Sequence, residues 1–192
     1  MKTPKLLGIN ATIILSFFLG TLLIPVQLIS HFIIIWRFAW LGWMLLAGER
    51  FNFNFRQWTL LGVLLLGGFF FANYISPELG WPHLAVSIIL APLTEELFFR
   101  SWLIKKVEGS DKQKILITSL FFGIFHIKNI ILLGSSQQLF QIFYTTLFVG
   151  PLFAWVRLRT GSIFYTVALH AINNTIAETL TRRVLAFRLG GK

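Results

Sequence analysis

The chain has 192 residues, of which 56% are hydrophobic and only 12% charged, with 21 Phe and 7 Trp. It is too apolar for an ordinary soluble domain, and its length allows one domain. The net charge of +10 is spread over several short connections rather than gathered in one patch, which argues against a nucleic-acid partner, and the lack of Cys removes disulfides and thiolate metal sites.

An apolar run of about 20 residues crosses a bilayer core of roughly 30 Å as a helix. Taken in chain order, such runs predict spans over 6–29, 31–47, 58–76, 82–104, 114–133, 137–156 and 162–181. The first follows Met1-Lys-Thr-Pro-Lys5 and has no small-x-small cleavage site, so it reads as a retained span rather than a signal peptide. The second carries Arg37, which is expected to snorkel toward a headgroup or an internal water, as is Lys128 later in the chain. Gly48 to Asn54 is a polar connection, and Ser76 to Gly80 a turn. Trp81-Pro82 places an interfacial aromatic and an early proline at a helix start. Phe69 to Phe71 face lipid or pack in the core. Lys105 to Lys114 forms the longest charged loop, and Arg157 to Gly161 the last strong break. The expected fold is all-α, a multispanning transmembrane helical bundle of about seven spans with the lipid bilayer as its solvent.

Charge orients such a bundle. With a cytoplasmic N-terminus, the inside connections hold Lys2, Lys5, Arg50, Arg56, Lys105, Lys106, Lys112, Lys114, Arg157 and Arg159. The opposite connections, near 30, 76–82 and 134–137, hold no Lys or Arg. Seven spans would put Arg182, Arg183, Arg188 and Lys192 outside, against this alternation. The loops repeat the pattern along the chain and set the orientation.

Glu95, Glu96, His126 and His170 fall inside the apolar runs. A charge there costs about 2.5–3.5 kcal/mol on insertion scales, so such groups usually line an internal cavity. Counted from the cytoplasmic ends of their spans at 1.5 Å per residue, Glu95, His126 and His170 share a depth of roughly 12–18 Å. Glu96 and Arg100 are i,i+4 neighbours that can pair, leaving Glu95, about 100° away, to face a cavity. Phe122 is likewise placed to orient His126, and His170 and Asn174 repeat the spacing, with Asn173 as a second choice of amide. Each group alone has a bland reading: a hydrogen-bonded His, a structural Glu–Arg pair, an Asn joining two helices. Their common depth argues for one polar cavity between helices that activates water.

Glu95-Glu96-x-x-x-Arg100, Phe122-x-x-x-His126 and His170-x-x-x-Asn174 resemble the three ordered motifs of the CPBP family, the CAAX-protease and bacteriocin-processing (Abi) intramembrane endopeptidases. The flanks Glu-Glu-Leu-Phe-Phe-Arg-Ser-Trp-Leu and Ser-Leu-Phe-Phe-Gly-Ile-Phe-His are similar too, although Ser101 stands where many members have Gly. The likeness covers residues 82–178. It divides the membrane domain into N-terminal helices without motifs, 1–81, and a catalytic core, 82–192. The resemblance implies hydrolysis of a peptide bond in a membrane protein or peptide. Glu95 and His126 would activate the water, His170 and Asn174 would stabilise the oxyanion, and Glu96, Arg100 and Phe122 would support them. It leaves open a metal-free mechanism or a zinc ion held by Glu95, His126 and His170; His-x-x-x-Asn is a poor zinc pair, because an amide oxygen is a weak ligand. The expected setting is a prokaryotic cell membrane. A non-catalytic immunity or scaffold protein that binds a peptide or partner membrane protein is the competing reading. A proton or ion pathway is a third, weakened by the lack of an inverted repeat.

Overall fold

The structure is a computed structural model, and it describes residues 29–46, 48–126 and 135–190. Among these residues all regular structure is helical. We label the helices α1 (Ile29–Leu46), α2 (Phe55–Ile75), α3 (Trp81–Lys106), α4 (Asp111–Phe125), α5 (Ser135–Tyr144, running on through Thr145–Val149 and Gly150–Thr160) and α6 (Phe164–Gly190).

Local chemistry sets the helix ends. Asn54 and Ser110 open α2 and α4 with reciprocal capping boxes, each trading side-chain and backbone bonds with the Gln three residues on. Gly161 closes α5 in the left-handed conformation at φ 67°, where a Cβ would be strained. The Ser76–Gly80 turn contains a single 3₁₀ turn, Pro77–Leu79, before α3 begins.

The interior of α3 is not uniform. Ala85–Leu90 and Leu97–Leu103 are wound wider, as π-type helix, on either side of α-helical Ala91–Glu96. In α5, Thr145–Val149 is widened in the same way. Two of these segments stop two residues before a proline, Pro92 and Pro151, and the intervening residue bonds five back: Ala91 N–H to Val86 O, Gly150 N–H to Thr145 O. A proline ring inside an α-helix clashes with the carbonyl four residues earlier, and local widening relieves that contact.

The residues fall into two compact units. One joins Ser30–Phe98 with Ser162–Lys192. There α2 runs along α6, and both pack on the first half of α3. Leu61, Leu65 and Ala72 lie buried along one face of α2. The first two cluster with Val167 and Ala171 of α6, and Ala72 with Leu84 and Ile88 of α3. Gly68 keeps the α2–α6 approach close, since a Cβ there would lie 2.6 Å from Thr175 Oγ1. In the other unit the described part is Phe99–Gly161 without 127–134, and α4 packs lengthwise on α5.

Polarity is inverted relative to a soluble protein. Val63, Phe70 and Tyr74 are 68%, 63% and 82% exposed, whereas Arg37, Glu95, Glu96, Arg100 and His170 are buried. Phe70 and Phe71 point outward, while Phe69 packs beside the Ala72 cluster. A bilayer, not water, is the solvent that suits such a surface.

Among the described residues three helices are long and apolar enough to cross a membrane: Phe55–Ile75, Trp81–Lys106 and Leu139–Thr160. They correspond to the expected spans 58–76, 82–104 and 137–156. The expected seven are not established. The first, 6–29, lies outside the described residues except for Ile29, as do part of the fifth beyond His126 and Lys128 within it. The last stretch is helical from Phe164 through Gly190, well past the expected end at 181.

Candidate active site

Within the unit that holds α1, α6 and the start of α3, four ionisable side chains form two buried pairs. Arg37 donates from Nη2 to Glu95 Oε1 at 2.5 Å, and from Nη1 to Thr94 Oγ1 at 2.8 Å. His170 Nδ1 lies 2.9 Å from Glu96 Oε1, and its Nε2 is 4.0 Å from Glu95 Oε2. Glu95 and Glu96 are successive residues of the short α-helical stretch Ala91–Glu96, so they leave the helix in different directions and reach different partners. An unpaired buried charge costs several kcal/mol, so each of these groups needs a partner.

Asn174, one turn beyond His170, donates from Nδ2 to the carbonyl of Ser87 at 2.8 Å and accepts from Asn173 Nδ2 at 3.3 Å. The backbone explains why Ser87 needs this donor. The Ala91 N–H is committed to Val86, and Pro92, five residues after Ser87, has no N–H to give. Asn174 therefore fills a vacancy that the proline creates, and an amide nitrogen still has its second N–H after doing so. Further along α6, Glu178 Oε1 accepts from Ser87 Oγ at 2.7 Å and lies 3.0 Å from His83 Nε2.

The other unit holds the remaining motif residues. His126 ends α4 buried, its ring edge-on to Phe122 with centroids 4.7 Å apart. Its Nδ1 is 2.7 Å from the Phe122 carbonyl. A carbonyl only accepts, so Nδ1 carries a proton. Arg100 is fully buried. Its Nη2 donates to Gly150 O at 3.3 Å, and its guanidinium lies 4.7 Å from the Phe122 ring centroid. Arg157 Nε donates in turn to the Arg100 carbonyl at 2.8 Å, so the two arginines tie α3 to α5 reciprocally.

The structure thus brings Glu95, Glu96 and His170 together in one unit, and Arg100, Phe122 and His126 in the other. Arg37 departs from its snorkelling expectation: it is 5% exposed and turned onto Glu95. Thr94 and Ser87 also carry site contacts that periodicity does not single out. The available signal for Arg37 was its position, a lone cation near the middle of an apolar helix.

A profile of the type II CAAX prenyl endopeptidase Rce1-like family matches residues 58–176, more than half of the chain and all three motifs. The chain belongs to that family. No curated protein and no solved structure matches it. Membership in a CAAX prenyl endopeptidase family, with helices apolar enough to span a bilayer, supports an integral membrane protease whose substrate is a membrane-associated peptide or protein. For this CAAX endopeptidase family member, the zinc alternative asks for Glu95, His126 and His170 as ligands. Among the described residues no group of three or more His, Asp or Glu side chains is arranged to hold a metal ion. Of the three, Glu95 and His170 lie in one unit and His126 in the other.

Proposed function

We propose that the chain is an intramembrane endopeptidase that cleaves a membrane-associated protein or peptide near the cytoplasmic side by a carboxylate-activated water. The observation that carries this reading is the buried group of Arg37, Glu95, Glu96 and His170. In it, Glu95 Oε2 and His170 Nε2 stand 4.0 Å apart, too far for a direct hydrogen bond and near enough for one water to touch both. Glu95 takes a proton from the water while the water oxygen bonds to the substrate carbonyl carbon. The motif resemblance assigns His126 as the second activating group. The carbonyl electron pair moves to oxygen, and His170 with the remaining N–H of Asn174 holds that oxyanion. Return of the proton from Glu95 to the leaving nitrogen completes cleavage. Glu96 fixes the His170 ring, while Arg100 and Phe122 support the neighbouring backbone and His126. The cytoplasmic assignment rests on charge: lysines crowd the connection after α3, and the turn before α3 has none.

The test compares membrane proteomes of cells producing the wild-type protein or Glu95→Gln. At least one membrane-associated protein should keep a longer terminus in the variant; identical termini would sink the proposal. Wild-type cleavage should also survive exhaustive chelation, and a loss restored by added Zn²⁺ would overturn the metal-free mechanism.

A further inference from the structure

Buried arginines need a reason, and Arg37 has two partners on one helix. Its guanidinium is a rigid planar fork, so donating to Thr94 Oγ1 and Glu95 Oε1 together fixes where both acceptors stand. Thr94 is itself anchored, since its hydroxyl donates to the Leu90 carbonyl at 2.7 Å and accepts from Arg37 with a lone pair. The outcome for Glu95 is specific. Oε1 is committed to Arg37, and Oε2 is the oxygen presented toward His170 Nε2.

We infer that Arg37 is a positioning residue for hydrolysis, acting through Glu95: it selects the carboxylate oxygen that meets the water and holds its rotamer. The inference rests on the proposed role of Glu95 as the group that accepts the water proton. In that step the charge on Glu95 goes from −1 to 0 as the substrate carbonyl oxygen becomes −1. Arg37 carries +1 throughout, so the site never holds an uncompensated pair of anions. A simple counter-ion would need only a positive charge at this position. A positioning fork needs two directed N–H bonds, and the two roles part company when lysine replaces arginine.

The experiment uses the full chain in lipid nanodiscs, with an internally quenched farnesylated peptide ending in a CAAX sequence as the probe. Arg37→Lys should melt within a few degrees of wild type while kcat falls about 10- to 100-fold and KM stays within about twofold, the size of loss that a misplaced reacting group causes. Thr94→Val, which removes the second tine's partner without changing side-chain size, should lower kcat by about 3- to 10-fold, again with KM unchanged. Wild-type kcat in Arg37→Lys, or a loss confined to KM, overturns the inference. Should Arg37→Lys fail to fold, Thr94→Val decides alone, and a wild-type kcat there overturns it. Glu95→Gln separates the two levels. If it is inactive while Arg37→Lys and Thr94→Val turn over normally, only the positioning role falls. If Glu95→Gln keeps wild-type kcat, the base assignment falls and takes the positioning role with it.

Discussion

Gly123 of α4 is in close contact with α5: a Cβ built on it would sit 1.7 Å from Thr146 Oγ1 and 2.9 Å from Thr146 Cβ. Helices in lipid gain little from hydrophobic burial against each other, so close backbone approach through small residues supplies much of their attraction. Gly123→Ala should therefore cost about 1–3 kcal/mol, the usual penalty for overfilling a packed contact. A lowered melting temperature, partly recovered by Thr146→Ala in the same background, is the expected outcome; an unchanged one would show the contact to be loose. At this scale the buried polar groups Glu95, Glu96, His126 and His170 were legible in the sequence, because such side chains in apolar runs identify themselves by cost. The identity of their partners was not. Arg37 is 58 residues from Glu95 and His170 is 74 from Glu96, separations that local spacing does not reach. The i,i+4 rule offered Arg100 to Glu96 and could not reach His170, which meets Glu96 from another helix.

Among the helices, the Pro92 junction in α3 shows two elements solving one backbone problem. The proline deprives the Ser87 carbonyl of a donor, and α6 supplies Asn174 in its place. Asn174→Ala should destabilise the protein by about 1–2 kcal/mol, near the upper range for a polar contact between membrane helices and the lower range for an orphaned buried group. Adding Pro92→Ala, which restores a backbone N–H, should return part of that stability without restoring cleavage. Equal stability of the single and double variants would mean the carbonyl was never short of a donor. Helix positions were read well where an apolar run coincides with the helix, as in α2 and α3. They were read less well at the ends. Asn54 and Ser110 start α2 and α4 a few residues ahead of the apolar runs, and α6 continues past residue 181 because charged residues do not stop a helix. The widened turns left no mark in hydrophobicity at all; only the prolines hinted at them.

For the whole molecule, side-chain burial and charge point to the same solvent. Among the described residues, 17% of the apolar stretch of α2 is buried against 61% of that of α3. The lack of any Cys makes membrane orientation directly measurable. An impermeant thiol reagent should label Ser110→Cys from the cytoplasmic side and Glu78→Cys only from the opposite side. The reverse pattern would invert the orientation that loop charge implies, and would move the cleavage face with it. Class and membrane setting were legible from composition because lipid demands an apolar exterior of any fold. The number of spans was not, since an apolar run reports solubility in lipid and not where the backbone turns. One consequence lies in the two π-type segments that bracket Ala91–Glu96. Each holds more residues per turn than the α-helix it interrupts, so the aim of the two carboxylates depends on a residue count as well as on residue identity. Deleting one residue from Ala85–Leu90 would swing the following stretch by about 100°. Every functional side chain would remain in the chain, and the phase that brings them to one another would be lost.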